Sequence, residues 1–225
     1  MNIKLVSTAQ NDEELEFIID YNDKLQIFTS FINRKLKKNI LYVQTINKVL
    51  LIPEGNRREV CSTDYKHFYN KGSFGYTISK DSSKLLIYSA LPNSFNDSEK
   101  IEISIFDEQF RQISQNSYIL KYDENIGEDR YYYVDNQGNA YILSLVKEEN
   151  EILFSRETEK NVYELMAFTE RGTKTRVYTF SVKNHYISDF YVITDLNGDI
   201  VLTGFYSEKN YTGVAGTVYY KIRQN

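Results

Sequence analysis

Short turns recur along this chain at a nearly constant interval, and this period constrains its fold more than any other feature of the sequence. Each turn is a cluster of Asn, Asp, Gly or Ser between two stretches rich in Val, Ile, Tyr, Phe and Thr, which is the pattern of a β-hairpin. Counted at Asn22, Asp81, Asn136 and Asn197, successive turns are 59, 55 and 61 residues apart. The chain is therefore predicted to repeat one structural unit about four times.

A second turn follows the first in three of these units, near Asn47, Asp107 and Glu170, so each unit is predicted to hold four antiparallel strands. Four-stranded sheets repeated at this interval are typical of a β-propeller, in which each sheet packs against its neighbours. We therefore predict an all-β fold, a β-propeller of about four four-stranded blades in a single domain over residues 1–225. A β-sandwich and a part of a larger propeller are the alternatives.

The pattern contains no convincing amphipathic helix, and the closest candidate, Asn161–Phe168, is predicted as a strand because it is short and carries Val162 and Tyr163. The other predicted strands are Leu15–Tyr21, Leu25–Phe31, Ile40–Val43, Tyr76–Ser79, Leu85–Ser89, Ile101–Phe106, Tyr131–Val134, Ala140–Leu145, Val177–Val182, Phe190–Thr194, Ile200–Tyr206 and Thr217–Ile222.

The last unit offers one hairpin and one further strand, so the fourth place in its sheet is open. An unpaired edge is a liability that proteins avoid. The alternating segment Asn2–Ser7 has no other place, and we predict that it pairs beside Thr217–Ile222 and closes the ring.

Composition excludes several classes of site and partner. The net charge is -4, which gives no overall positive field for nucleic acid. With one cysteine and two histidines, the chain can form neither an internal disulfide nor an ordinary zinc site, and no cofactor or metal is predicted. No apolar run approaches the ~20 residues that span a bilayer. The expected location is the cell envelope, periplasmic or secreted, if a leader precedes this sequence, and otherwise the cytoplasm.

A further set of turn and strand stretches is informative when taken together: residues 22–30, 79–86, 105–107, 135–141, 204–207 and 213–216. These stretches resemble the uncharacterised exported β-propeller-like proteins of Bacteroidetes bacteria. The resemblance implies a binding or scaffold role in the bacterial cell envelope and no catalytic residue. Membership of a larger assembly is a separate expectation.

The long loops are the predicted binding surface, because long loops on a rigid scaffold commonly carry function. In a propeller the links between blades, here including residues 53–72, share one face with the links between second and third strands. Their exposed aromatic rings and one histidine are expected to contact a protein or glycan partner. The predicted binding residues are Tyr65, His67, Tyr69, Tyr122 and Tyr211.

Three further features have a structural interpretation and a functional alternative. Asp195, Asn197 and Asp199 alternate like calcium ligands, but the glycine spacing favours an ordinary hairpin turn. Cys61 is expected to be a buried thiol, with a pKa lowered by nearby basic residues as the alternative. The basic run 34–38 is interpreted as a solvated loop, with a partner of complementary charge as the alternative.

The leading functional hypothesis is a non-enzymatic module that presents its long loops to a protein or glycan. The alternative is a glycoside-hydrolase-like propeller with a pair of carboxylates on its axis, one protonated and one charged. The 31 acidic residues could supply such a pair, but no sequence motif selects it. A His67 base oriented by Asp64 is a weaker enzymatic alternative.

Overall fold

The fold consists of β-strands joined by tight turns. In a computed structural model, the described residues are 12–21, 23–67, 70–92, 100–120, 130–147, 161–183, 185–195, 199–208 and 213–223. They form antiparallel sheets whose strands pair in sequence order, which confirms the predicted all-β fold of the β-propeller type. None of the described segments is a helix that could cross a membrane.

The chain divides into two compact units, with the division between Lys121 and Tyr122. We call them unit 1 and unit 2, and the prediction of a single domain stays a prediction. Unit 1 contains two four-stranded sheets. The first sheet comprises β1 (Glu14–Tyr21), β2 (Lys24–Asn33), β3 (Lys38–Ile46) and β4 (Pro53–Asp64). The second comprises β5 (Ser73–Ile78), β6 (Lys84–Leu91), β7 (Lys100–Asp107) and β8 (Gln112–Ile119).

The core of unit 1 is an apolar cluster that takes residues from both of its sheets. Phe28 on β2 is fully buried and lies 4.5 Å from the ring of Phe17 and 6.0 Å from that of Phe110, measured between centroids. Leu41 on β3 and Leu85 on β6 are also fully buried in this cluster. The central strands are the most apolar because neighbouring strands cover both of their edges and both of their faces are buried, as the consecutive residues Leu85 and Leu86 of β6 are.

Unit 2 contains one four-stranded and one three-stranded sheet among the described residues. The segment predicted as a strand at Asn161–Phe168 is a strand, which confirms that prediction. The first sheet comprises β9 (Arg130–Val134), β10 (Ala140–Lys147), β11 (Asn161–Thr169) and β12 (Lys174–Phe180). The second comprises β13 (His185–Thr194), β14 (Ile200–Glu208) and β15 (Gly216–Ile222).

Phe190 on β13 is the aromatic centre of unit 2. Its ring meets those of Tyr163 and Phe180 edge-on, with centroids 5.2 and 5.7 Å apart, and that of Tyr220 at 6.0 Å. Edge-to-face packing is favourable because the positive ring edge meets the negative ring face. The two sheets of unit 2 therefore share one core, as those of unit 1 do.

A backbone contact within β13 and β14 requires a glycine. The pairing of these strands is irregular between Ile187 and Asp189, which shifts the backbone of β13 toward β14. Gly204 pairs with Phe190, and a Cβ placed on Gly204 would overlap the carbonyl oxygen of Asp189 and lie 2.9 Å from the Phe190 ring. Position 204 thus has no room for a side chain unless the bulge moves.

Asp and Asn side chains close the turns in both units by accepting backbone hydrogen bonds, as the turn pattern of the sequence predicts. Asp107 Oδ1 accepts the N–H of Gln109 at 3.0 Å and of Arg111 at 2.8 Å. Asp81 and Asn47 make related bonds to the residue two positions later, at 2.9 and 3.0 Å. These residues therefore fix the hairpins rather than face a ligand.

One prediction about the outer strands of unit 1 is wrong. Residues 53–72 were expected to be a long link, but Pro53–Asp64 is β4, paired with β3. β8 was not predicted at all. Both strands carry mostly polar side chains because they lie at the edge of a sheet. The predicted strand Asn2–Ser7, and with it the closure of the ring, lies outside the described residues.

Candidate functional site

A polar cavity of about 190 Å³ opens in unit 2, where the turns β9–β10 and β11–β12 meet the start of β14 and the end of β15. None of the sequence predictions places a site here. The lining residues are Gln137, Asn139, Ala167, Thr169, Glu170, Lys174, Arg176, Tyr178, Ile200 and Arg223.

Residues that alternate along β12 form one wall of the cavity. Lys174, Arg176 and Tyr178 alternate along β12, so their side chains share one face. In the register of the sheet, Arg176 pairs with Ala167 and Lys174 with Thr169 on β11. Cross-strand partners lie on the same face, and the small Ala167 leaves room beside the long Arg176 side chain.

The β11–β12 turn fixes the one carboxylate of the described lining. Glu170 and Arg171 have φ values of +52° and +59°, and the N–H of Gly172 donates to the carbonyl oxygen of Thr169 at 2.9 Å. This is a type I′ turn, whose two central positions favour Asn and Gly. Glu170 and Arg171 are both larger than the residues that this turn prefers.

The charge of the lining is positive. Lys174, Arg176 and Arg223 face Glu170, and the ammonium of Lys174 is 2.9 Å from the Glu170 carboxylate. Within the described part of unit 2, neither Arg176 nor Arg223 has an ion-pair partner. Guanidinium groups stay charged at all physiological pH values and bind carboxylate or sulfate through two parallel hydrogen bonds. The cavity is therefore suited to an anion.

Uncharged groups complete the lining. The amide of Asn139 is held by Asp135, whose Oδ2 accepts its N–H at 2.8 Å and also accepts the hydroxyl of Tyr141 at 2.8 Å. Gln137 adds a second amide and Tyr178 an aromatic side chain. Amides that donate and accept, beside an aromatic ring, are suited to a polyhydroxylated ligand.

The binding residues predicted from the sequence are not among those that line this cavity. Tyr65 and His67 lie in unit 1 between β4 and β5, where the N–H of Tyr65 donates to the carbonyl oxygen of Lys37 and His67 bridges to Asn70. Tyr69, Tyr122 and Tyr211 lie outside the described residues. Their role stays a prediction.

Of the alternating motif, Asp195 and Asp199 are hydrogen-bonded to each other between β13 and β14, and Asn197 lies outside the described residues. Asp195 accepts the N–H of Asp199 at 3.0 Å, and the ammonium of Lys221 lies 2.6 and 3.0 Å from the two carboxylates. These hydrogen bonds raise the pKa of Lys221. A lysine thus already occupies the position that a cation would take. Across the described ranges, no three His, Cys, Asp or Glu side chains are grouped to hold a metal ion.

Cys61 is a buried core residue of β4. Burial raises the pKa of its thiol to about 12, with the charges of Glu102 and Glu59 adding to the effect. The basic neighbours in sequence point elsewhere, since Arg57 lies over the ring of Tyr42 and Arg58 over that of Phe110. The alternative of a lowered thiol pKa is therefore wrong.

We expect Cys61 to react with iodoacetamide at pH 8 about a thousandfold more slowly in the native protein than in the unfolded one, because a pKa of about 12 leaves little thiolate. Mass spectrometry of time points with and without guanidinium measures the two rates. Native labelling within tenfold of the unfolded rate would contradict the burial.

No protein-family model matches the chain, and no curated protein matches it. Several solved structures resemble it at low identity, among them these three. An endo-arabinase from Bacteroides thetaiotaomicron is 11% identical over 92% of this chain and 74% of its own, with a TM-score of 0.38. A GH43 endo-arabinanase from Bacillus licheniformis is 11% identical over 92% and 72%, with a TM-score of 0.32. An endo-1,4-beta-xylanase from B. thetaiotaomicron is 12% identical over 93% and 88%, with a TM-score of 0.30.

This comparison corrects the leading functional hypothesis. The three named structures are enzymes, and they contradict the prediction of a non-enzymatic module. That prediction is therefore wrong. At these TM-scores the likeness brings no substrate, activity or residue role to this chain. The resemblance to exported proteins, the location and the partners stay predictions.

Proposed function

We propose that this chain acts on a carbohydrate that carries an anionic group, and that the cavity of unit 2 holds that group. The observation that carries the proposal is the lining, in which Lys174, Arg176 and Arg223 face the single carboxylate of Glu170. Two guanidinium groups without an ion-pair partner among the described residues favour a carboxylate or sulfate as the bound group.

The size and the neutral side chains support a sugar as the bearer of that charge. A cavity of about 190 Å³ is smaller than the ~300–1,000 Å³ of sites for larger ligands, so it fits one sugar unit of a longer chain. The amides of Gln137 and Asn139 can pair with sugar hydroxyls, and Tyr178 offers an apolar ring face. A uronic acid has both features.

Glu170 is the one carboxylate among the described lining residues, so this described lining does not contain the carboxylate pair that glycoside cleavage requires. The cavity is the part of the site that holds substrate. Cleavage is therefore assayed separately from binding.

The binding test compares two ligands that differ in charge, because a methyl ester replaces each carboxylate of the acid. Isothermal titration calorimetry with tri-galacturonic acid and its methyl ester should show at least about tenfold tighter binding of the acid, since a hydrogen bond between charged groups contributes about 1.5–3 kcal/mol. Arg176→Ala should weaken binding of the acid by a similar factor, and added salt should weaken it further. Release of reducing ends from polygalacturonate tests the action on the polymer.

The matched control is Lys183→Ala, which removes an exposed cation of unit 2 that does not line the cavity. It should leave binding unchanged. Equal affinity for acid and ester, or no effect of Arg176→Ala, would refute the cavity as the site. Binding without release of reducing ends from any acidic polysaccharide offered would refute the enzymatic part.

A further inference from the structure

The turn between β2 and β3 in unit 1 forms a basic tip, residues 33–38, that the proposed function does not use. Arg34, Lys35 and Lys37 are exposed, and no ion pair joins any of the three to another residue in the described ranges. Leu36, at the centre of the tip, keeps 64% of its surface exposed. Exposure of the apolar Leu36 side chain to water is unfavourable, so its place among the cations is not explained by solvation.

Local hydrogen bonds hold the basic tip in one conformation. Asn33 pairs with Lys38 at the base, and its side-chain oxygen accepts the N–H of Leu36 at 3.1 Å. Lys37 has a φ of +52°, and its carbonyl oxygen accepts the N–H of Tyr65 at 2.8 Å. The tip is thus already ordered before it meets a partner, which lowers the entropic cost of binding.

The segment that follows β4 lies beside the basic tip, because the N–H of Tyr65 donates to the carbonyl oxygen of Lys37. Asp64 is bound to Lys38 at 2.7 Å, so this carboxylate offsets one cation of the cluster. The remaining local charge is strongly positive although the chain as a whole carries -4. Beyond the ~8–10 Å screening length, the distant acidic residues contribute little.

We propose that the basic tip binds the surface of a lipid bilayer that contains anionic lipid. The cations would contact the headgroups, and Leu36 would enter the interface between headgroups and acyl chains. The choice of a bilayer over an acidic polymer rests on Leu36, because a polymer of charged sugars or peptides offers no apolar phase in which to bury it. This proposal is independent of the cavity in unit 2.

The test is co-sedimentation of the full chain with vesicles of phosphatidylcholine alone and with about 30% phosphatidylglycerol. We expect binding to the mixed vesicles only, and loss of that binding above about 0.5 M salt. Lys35→Glu with Lys37→Glu should reduce the bound fraction by at least about tenfold, and Leu36→Ser by a few-fold. Circular dichroism verifies that each variant is folded.

The matched control is Lys80→Glu with Lys100→Glu, which makes the same change in net charge at two exposed positions of unit 1 outside the basic tip. It should keep most of the binding. Equal binding to both kinds of vesicle, or an equal loss in the control, would refute the proposal. If Leu36→Ser binds the mixed vesicles as well as the parent does, and dextran sulfate competes fully, the surface is one for acidic polymers instead.

Discussion

Replacing Phe28 by alanine is expected to lower the free energy of unfolding of unit 1 by about 4 kcal/mol, as truncation of a buried phenylalanine does in a core that cannot collapse. The side chain is fully buried and packs against Phe17 and Phe110 from two different sheets. Its loss therefore weakens the contact between the sheets as well as the strand itself. Urea denaturation followed by tyrosine fluorescence measures the effect.

The control for this variant is Leu15→Ala on β1, where the side chain is 62% exposed. It should change the free energy of unfolding by less than about 1 kcal/mol, because little apolar surface is buried there. Similar losses in the two variants would contradict the assignment of Phe28 to the core of unit 1.

Gly204→Ala is expected to destabilise unit 2 by about 3 kcal/mol, at the upper end of the cost of overpacking. The new methyl group would overlap the carbonyl oxygen of Asp189 and press on the ring of Phe190. Relief requires the bulge in β13 to shift, which would disturb the aromatic centre of unit 2. The same denaturation experiment reports the change.

Gly213→Ala is the matched control because nothing lies within 4 Å of a Cβ at that position. We expect it to be neutral or slightly stabilising, since alanine reduces the freedom of the unfolded chain. A Gly204→Ala protein as stable as the Gly213→Ala protein would show that the strands are farther apart than described.

The fold class could be predicted from the sequence because its strongest signals are local. Turn residues between runs of β-branched and aromatic residues identify the hairpins, and the inner strands β6 and β10 read as apolar runs since both faces are covered. The outer strands β4 and β8 gave no such signal. β4 carries charged residues that pack by stacking on aromatic rings. Arg57 lies over the ring of Tyr42, and Arg58 lies over the ring of Phe110. A pattern of apolar residues cannot show this kind of packing.

The cavity could not be predicted, because its lining comes from segments far apart in the chain, from Gln137 to Arg223. Its one local signal was the alternation of Lys174, Arg176 and Tyr178, which places two cations and a ring on one face of a strand. The predicted residues were chosen for aromatic character in long loops. That criterion overlooks charge on the strands and in the short turns.

The Asp-closed turns have a consequence in acid. Burial raises the pKa of Asp81, but hydrogen bonds from Ser83 and Ser79 outweigh it, and the net pKa is lowered. Asp107 behaves in the same way, with Arg111 as its main donor. A lowered native pKa means that each carboxylate stabilises the folded state above pH ~4 and ceases to do so as it becomes protonated. Both carboxylates close hairpins of the second sheet of unit 1, so acid would weaken the β5–β6 and β7–β8 turns of that sheet together.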